Sequence, residues 1–359
     1  MRKIRQLTNG TQAMQMDSKA KSSTDKIYNL AAGDPIGEPV SIVKDGFLKT
    51  ISFGWWNHYG DAQGSLALRK LLYKNPDQVL ISNGAKGLMY LALLATCDPG
   101  DSVLIIGPCW SSYLQICKIL KLNIIQYIPD YEKDGWKNNI NDIAVLFEEN
   151  ISVVIFTNPN NPTGVTEGKF FVDELVKLCE EYDCWLLSDE IYDKLVYSGE
   201  FESALGKSNL VIYLNGFSKN CGIPGWRIGY CIADEKLIHQ MTMLQSQISG
   251  PPNTFFQKVM ENTLEEKKIG RFVAIRNNYE EIVNYLSSLS ITFNKYKPDG
   301  GFYFYLPVKD TKEICEYLAK HSIIVVPGDD YGVENTIRLS FASITLNDLK
   351  EIEKYLKEI

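Results

Sequence analysis

The stretch "LVIYLNGFSK", residues 210–219, is an apolar, β-rich run that ends in a glycine turn carrying a lysine. The run before it, "CWLLSDEIY" (184–192), has the same form and ends on Asp189 and Tyr192. Runs without polar alternation suit strands buried on both faces, as in the parallel sheets of α/β proteins. Working outward, "QVLIS" (78–82) leads into "NGAKGLMYLALLATC", "DSVLIIG" (101–107) into "PCWSSYLQICKIL", and "SVVIF" (152–156) into "TNPNNPTG". Strand, turn and helix recur, which predicts an α/β fold built on a mostly parallel sheet covered by helices on two sides. In such sheets ligands bind beyond the carboxyl ends of the strands, and the unusual residues of this sequence collect there.

After about residue 265 the texture changes. A charged amphipathic stretch, "LEEKKIGRFVAIRNNYEEIVNYLSSL", precedes "PDGGFYFY" (298–305), "SIIVVPG", "TIRLSFA" and a closing helix. This alternation predicts a smaller α+β domain made of 266–359 together with 1–40, set against a large domain of 41–265. "PDGGFYFY" reads as a structural turn entering a strand.

With 359 residues, 45% hydrophobic and 23% charged, the composition is that of a globular protein with a sizeable core. A net charge of −7 argues against a nucleic-acid or membrane surface. No apolar run approaches the roughly 20 residues of a membrane-spanning helix. The first 26 residues are basic but are followed by no apolar segment, so no secretory signal is expected. The eight cysteines are scattered without a C-x-x-C pair, and only three histidines accompany them, which predicts no metal site. Reduced, buried thiols indicate a cytoplasmic protein.

The strand ends carry the chemistry. Asp189 is a carboxylate at the end of an apolar strand, costly there unless a cation meets it. "NGAKG" (83–87) opens onto a helix whose free N–H groups and dipole favour a phosphate. Trp110 follows another strand and can stack on a flat ring. The asparagines of "NPNNPTG" can supply amide donors, and Arg227 can clamp an anion bidentately. Lys219 is either a solvent-facing turn lysine or a covalent catalyst. Together the groups specify a planar aromatic ligand with a phosphate, a ring nitrogen and a carbonyl that an amine can capture, which are the features of pyridoxal 5'-phosphate.

In these motifs, from about residue 30 to 342, the sequence resembles the class I/II aminotransferases of pyridoxal-phosphate fold type I. The resemblance implies a seven-stranded-type sheet in the large domain and a set of roles. Lys219 would form the internal aldimine and shuttle a proton. Asp189 would keep the pyridine nitrogen protonated, and Tyr192 and Asn161 would bond the ring hydroxyl. Arg227, with Gly84, Ala85, Lys86 and Ser218, would hold the phosphate, and Trp110 would cover the ring and border the substrate. "IRLSFA" puts Arg338, and "LAAGDP" puts Gly33, where the family binds the substrate carboxylate. "YGDAQGSLALR" (59–69) matches a motif whose tyrosine, here Tyr59, reaches the phosphate of the other subunit, implying a homodimer with shared sites. One departure is Gly216, where the family commonly has a phosphate-binding serine. Ser218 or Asn215 could compensate for it.

The expected reaction is transfer of an amino group between an L-amino acid and a 2-oxo acid. A β-eliminating lyase or a cyclising enzyme would use the same cofactor, and a non-catalytic binding module is the third reading. Lys86 either reads a distal carboxylate of an acidic donor or contributes only its amide.

Overall fold

The computed structural model describes residues 15, 26–35, 41–51, 54, 57–265 and 273–359. The basic N-terminal stretch and parts of both ends assigned to the small domain lie outside these residues.

The long apolar runs form one seven-stranded sheet. Its strands are β2 (Val79–Ser82), β3 (Ser102–Ile106), β4 (Asn123–Tyr127), β5 (Ile151–Thr157), β6 (Trp185–Asp189), β7 (Val211–Gly216) and β8 (Gly229–Ile232). They lie in the order β2-β8-β7-β6-β5-β3-β4, and β8 alone runs against its neighbours. Side chains alternate between two buried layers. Val103, Ile105, Val153, Ile155, Leu187, Ile212 and Leu214 face helices Ala85–Thr96, Ser111–Leu120 and Glu235–Ile248. Leu104, Val154, Leu186 and Val211 face helix Lys169–Glu181 on the other side. Covering both faces is why these strands lack the polar alternation of a half-exposed sheet.

Two further, smaller sheets are built from β9 (Tyr303–Pro307), β10 (Ile323–Ile324), β11 (Val326–Pro327) and β12 (Thr336–Ser340) with β1 (Tyr28–Asn29). The order β11-β12-β9 makes an antiparallel sheet, and β10 pairs in parallel with β1. In β9 and β12, Tyr303 faces Ser340 and Tyr305 faces Arg338, so these four project from one face of the sheet.

The carboxyl ends of β2, β3, β5, β6 and β7 all open on one edge of the large sheet. One contact there admits no side chain. Gly229 of β8 lies so close to the first turn of helix Ala85–Thr96 that a Cβ would sit 2.7 Å from the Ala85 nitrogen. Gly229→Ala therefore pushes the helix start outward, and urea unfolding is expected to show a loss of about 1–3 kcal/mol.

Candidate active site

A cavity of about 540 Å³ opens where these strand ends meet the antiparallel sheet of β9 and β12. Of the residues named from sequence, it is lined by Gly33, Ala85, Lys86, Trp110, Asn161, Asp189, Tyr192, Ser218, Lys219, Arg227 and Arg338. Gly84 is not part of the lining; it has a positive φ of 95°, and a Cβ on it would sit 2.5 Å from an Arg227 guanidinium nitrogen. Tyr59 is not brought into this cavity and stands 96% exposed.

Lys219 follows β7. Its side chain is part-open to the cavity, and its amine donates to the Gly33 carbonyl at 2.6 Å. Burial lowers its pKa to about 8, with Arg227 and Arg338 acting the same way and Asp34 and Asp189 opposing. An amine so poised is neutral in a far larger fraction at neutral pH than an ordinary lysine, as a nucleophile or proton carrier requires.

Asp189 ends β6 and is buried. One carboxylate oxygen accepts the Tyr113 hydroxyl at 2.7 Å and the other the Ile191 amide at 3.2 Å. Burial still pushes its pKa up, because these two bonds and the Lys219 charge only partly offset desolvation. Tyr113 also meets the Thr157 hydroxyl at 2.8 Å.

The asparagines of the 157–164 loop have different duties. The Asn158 amide donates to the Glu167 and Glu202 carbonyls at 3.0 Å, and Asn160 donates to the Pro108 carbonyl at 3.2 Å. These two brace the loop. Asn161 faces the cavity, donating to the Tyr192 hydroxyl at 3.3 Å and accepting from Arg338 at 3.2 Å. Arg338 also donates to the Ala31 carbonyl at 2.5 Å, while its buried Nε has no partner among the described residues.

At the far end, helix Ala85–Thr96 starts without a side-chain cap, beside Arg227 and Ser218. Arg227 takes a left-handed φ of 56° and donates to the Pro224 carbonyl at 2.9 Å. Lys86 is half-buried, its amine 4.6 Å above the Trp110 ring; burial and Arg227 lower its pKa. Gly216 pairs with Gly229 across β7 and β8, and a Cβ on it would lie 3.2 Å from both the Gly229 Cα and the Ile228 carbonyl. A side chain at 216 would therefore need its neighbours to give by a few tenths of an ångström.

Reading the sequence missed Tyr113, Asp34 and Tyr303, all in the lining. Tyr113 had a signal: it lies three residues after Trp110, one helical turn on. "PDGGFYFY" is corrected from a purely structural turn, because Tyr303 reaches the cavity.

Among the described residues, the cavity lining carries four cationic side chains (Lys86, Lys219, Arg227, Arg338) against two carboxylates, Asp34 and Asp189. It therefore suits a ligand with at least two anionic groups. The orphaned Arg338 Nε calls for an acceptor, and buried Asp189 calls for a protonated nitrogen. The donor set, the uncapped helix start and the cavity size fit pyridoxal 5'-phosphate.

The sequence profile of the family aminotransferase class I and II matches residues 25–356. A curated aspartate aminotransferase of Thermotoga maritima is 31% identical over 93% of this chain and 92% of its own length. The aspartate/prephenate aminotransferase of Thermus thermophilus is 26% identical over 91% of this chain and 90% of its own. The crystal structure of the Thermotoga maritima aspartate aminotransferase superposes with a TM-score of 0.87 at 29% identity, covering 96% of both chains. The chain belongs to the class I and II aminotransferases, with the type I fold of that family. It is a pyridoxal-phosphate-dependent aminotransferase, and its substrates are amino acids and oxo acids.

The depressed pKa of Lys219 has a direct readout in cofactor-free protein. Labelling with an amine-selective reagent across pH, followed by peptide mass mapping, is expected to give a midpoint near 8 at Lys219. Solvent-exposed lysines should titrate above about 10.

Proposed function

We propose that the protein transfers the amino group of an acidic L-amino acid, aspartate or glutamate, to a 2-oxo acid, with the cofactor attached at Lys219. The observation that carries the proposal is the Lys219 amine held at 2.6 Å from the Gly33 carbonyl, in a cavity that Asp189, Arg227 and Arg338 also line. When bound, the cofactor supplies an electron-withdrawing ring that stabilises negative charge at the substrate Cα. Asp189 would hold the proton of the ring nitrogen, its carboxylate oriented by Tyr113 and the Ile191 amide. Tyr192 and Asn161 would bond the ring hydroxyl, and Trp110 would cover the ring. Arg227, Ser218 and the amides at 84–86 would bind the phosphate. Arg338, beside Gly33, would take the substrate α-carboxylate. Lys219 would hold and move a proton at the substrate Cα, its amine lowered to a pKa of about 8 by burial in the cavity.

The acidic donor is supported by Lys86. Its half-buried amine lies at the Trp110 end of the cavity, and the relatives above are named for aspartate. We read the protein as a cytoplasmic homodimer in which Tyr59 of the partner subunit completes the phosphate site. Support comes from the exposure of Tyr59 outside its own cavity, and from eight free cysteines, six of them buried. We divide the chain into a large domain of 41–265 and a small domain of 1–40 with 266–359. The shared core of Leu30 and Ala31 with Leu349 and Ile352 supports that division.

A donor panel with 2-oxoglutarate tests the reading. Lys86→Ala is expected to raise KM for aspartate and glutamate about tenfold, with aromatic donors unchanged. Equal losses on both donor types would remove Lys86 from substrate choice, and ammonia release without an acceptor would indicate the eliminating chemistry instead. Borohydride trapping is expected to label Lys219, and Lys219→Ala to abolish turnover.

A further inference from the structure

Tyr303 touches three functional groups that come from different parts of the chain. It begins β9, is fully buried, and belongs to the cavity lining. Its ring lies under the Arg338 guanidinium at 4.4 Å. Its hydroxyl meets the Tyr192 hydroxyl at 3.1 Å. The same hydroxyl presses on Gly33, where a Cβ would come within 2.2 Å of it, and the Gly33 carbonyl is the one that receives the Lys219 amine. Any residue but glycine at 33 would displace the phenol.

These contacts close a loop. Arg338 has only donors, so it fixes the Asn161 amide with its oxygen toward the guanidinium and its nitrogen toward Tyr192. Asn161 thereby fills one lone pair of the Tyr192 oxygen. A phenol has two lone pairs and one proton. If Tyr303 donates into the second lone pair, the Tyr192 proton has only the cavity left to point into. Meanwhile the Tyr303 ring face, with that of Tyr331 at 5.0 Å from the guanidinium carbon, holds the guanidinium without occupying its N–H edge.

We propose that Tyr303 is a positioning residue that serves both halves of the site at once. Its ring presents the Arg338 edge to the substrate carboxylate, and its hydroxyl turns the Tyr192 proton toward the cofactor's ring hydroxyl. The proposal rests on the roles given to Arg338 and Tyr192 under the proposed function.

Two variants separate the duties, both studied as the cofactor-loaded enzyme. Tyr303→Phe keeps the ring and removes the hydroxyl. It is expected to leave KM within about twofold of wild type, while shifting the pH midpoint of the cofactor's visible band by about half a unit or more. Tyr303→Leu removes the ring face, and KM for amino and oxo substrates is expected to rise about tenfold, with a smaller change in kcat. A merely structural tyrosine would lower Tm and the active fraction but leave the band midpoint and KM at wild-type values, and that result overturns the proposal. Should Tyr303→Leu fail to fold, the midpoint of Tyr303→Phe decides: an unshifted value overturns the proposal. If the wild-type enzyme takes up cofactor but Arg338→Leu leaves KM unchanged, it is the underlying assignment of Arg338 that fails, not the placement of Tyr303.

Discussion

The site depends on keeping a carboxylate and an amine in one low-dielectric cavity without letting them neutralise each other. Asp189 is satisfied by a phenol and a backbone amide, and Lys219 by a backbone carbonyl. A direct pair would gain Coulomb energy but leave neither group free for a ligand. Neutral partners stabilise each charge incompletely. The result is a carboxylate pushed up in pKa and an amine pushed down, both receptive to a molecule that brings a protonated nitrogen and a carbonyl.

The sheet makes this separation possible. β6 and β7 are parallel neighbours, so Asp189 and the turn leading to Lys219 leave the sheet side by side. Each then enters a differently shaped loop, one braced by Tyr113 from the helix after β3, the other folding back into β8. Arg338 arrives from the antiparallel sheet, and its contacts with Ala31 and Asn161 tie the N-terminal segment and the β5 loop to it. One cavity thus gathers groups from eight separate stretches of chain, and no single loop holds a complete site.

Much of this was legible because the local chemistry was unusual. Charged or polar residues at the ends of wholly apolar strands have few explanations, and Lys219, Asp189 and Asn161 announced themselves that way. The two-layer alternation of Val103 and Leu104, or of Val153 and Val154, was equally plain in the runs that contain them. What the sequence concealed depended on distance or on absence. Tyr113 and Tyr303 look like ordinary core aromatics until tertiary structure turns their hydroxyls on Asp189 and Tyr192. The three asparagines of one loop are chemically alike, and only the course of the backbone decides that Asn158 and Asn160 brace it.

The reversed direction of β8 has a mechanical consequence. Because β7 and β8 form an antiparallel hairpin, Lys219 and Arg227 ride on one excursion, residues 217–228, whose two ends are clamped together by the ladder from Gly216 to Gly229. The attachment point and the anionic grip therefore share one excursion with a common base, and are not two parts carried on separate elements. Lengthening the chain within that span would spread the two apart, whereas an insertion after the outer strand β4 would leave their gauge untouched.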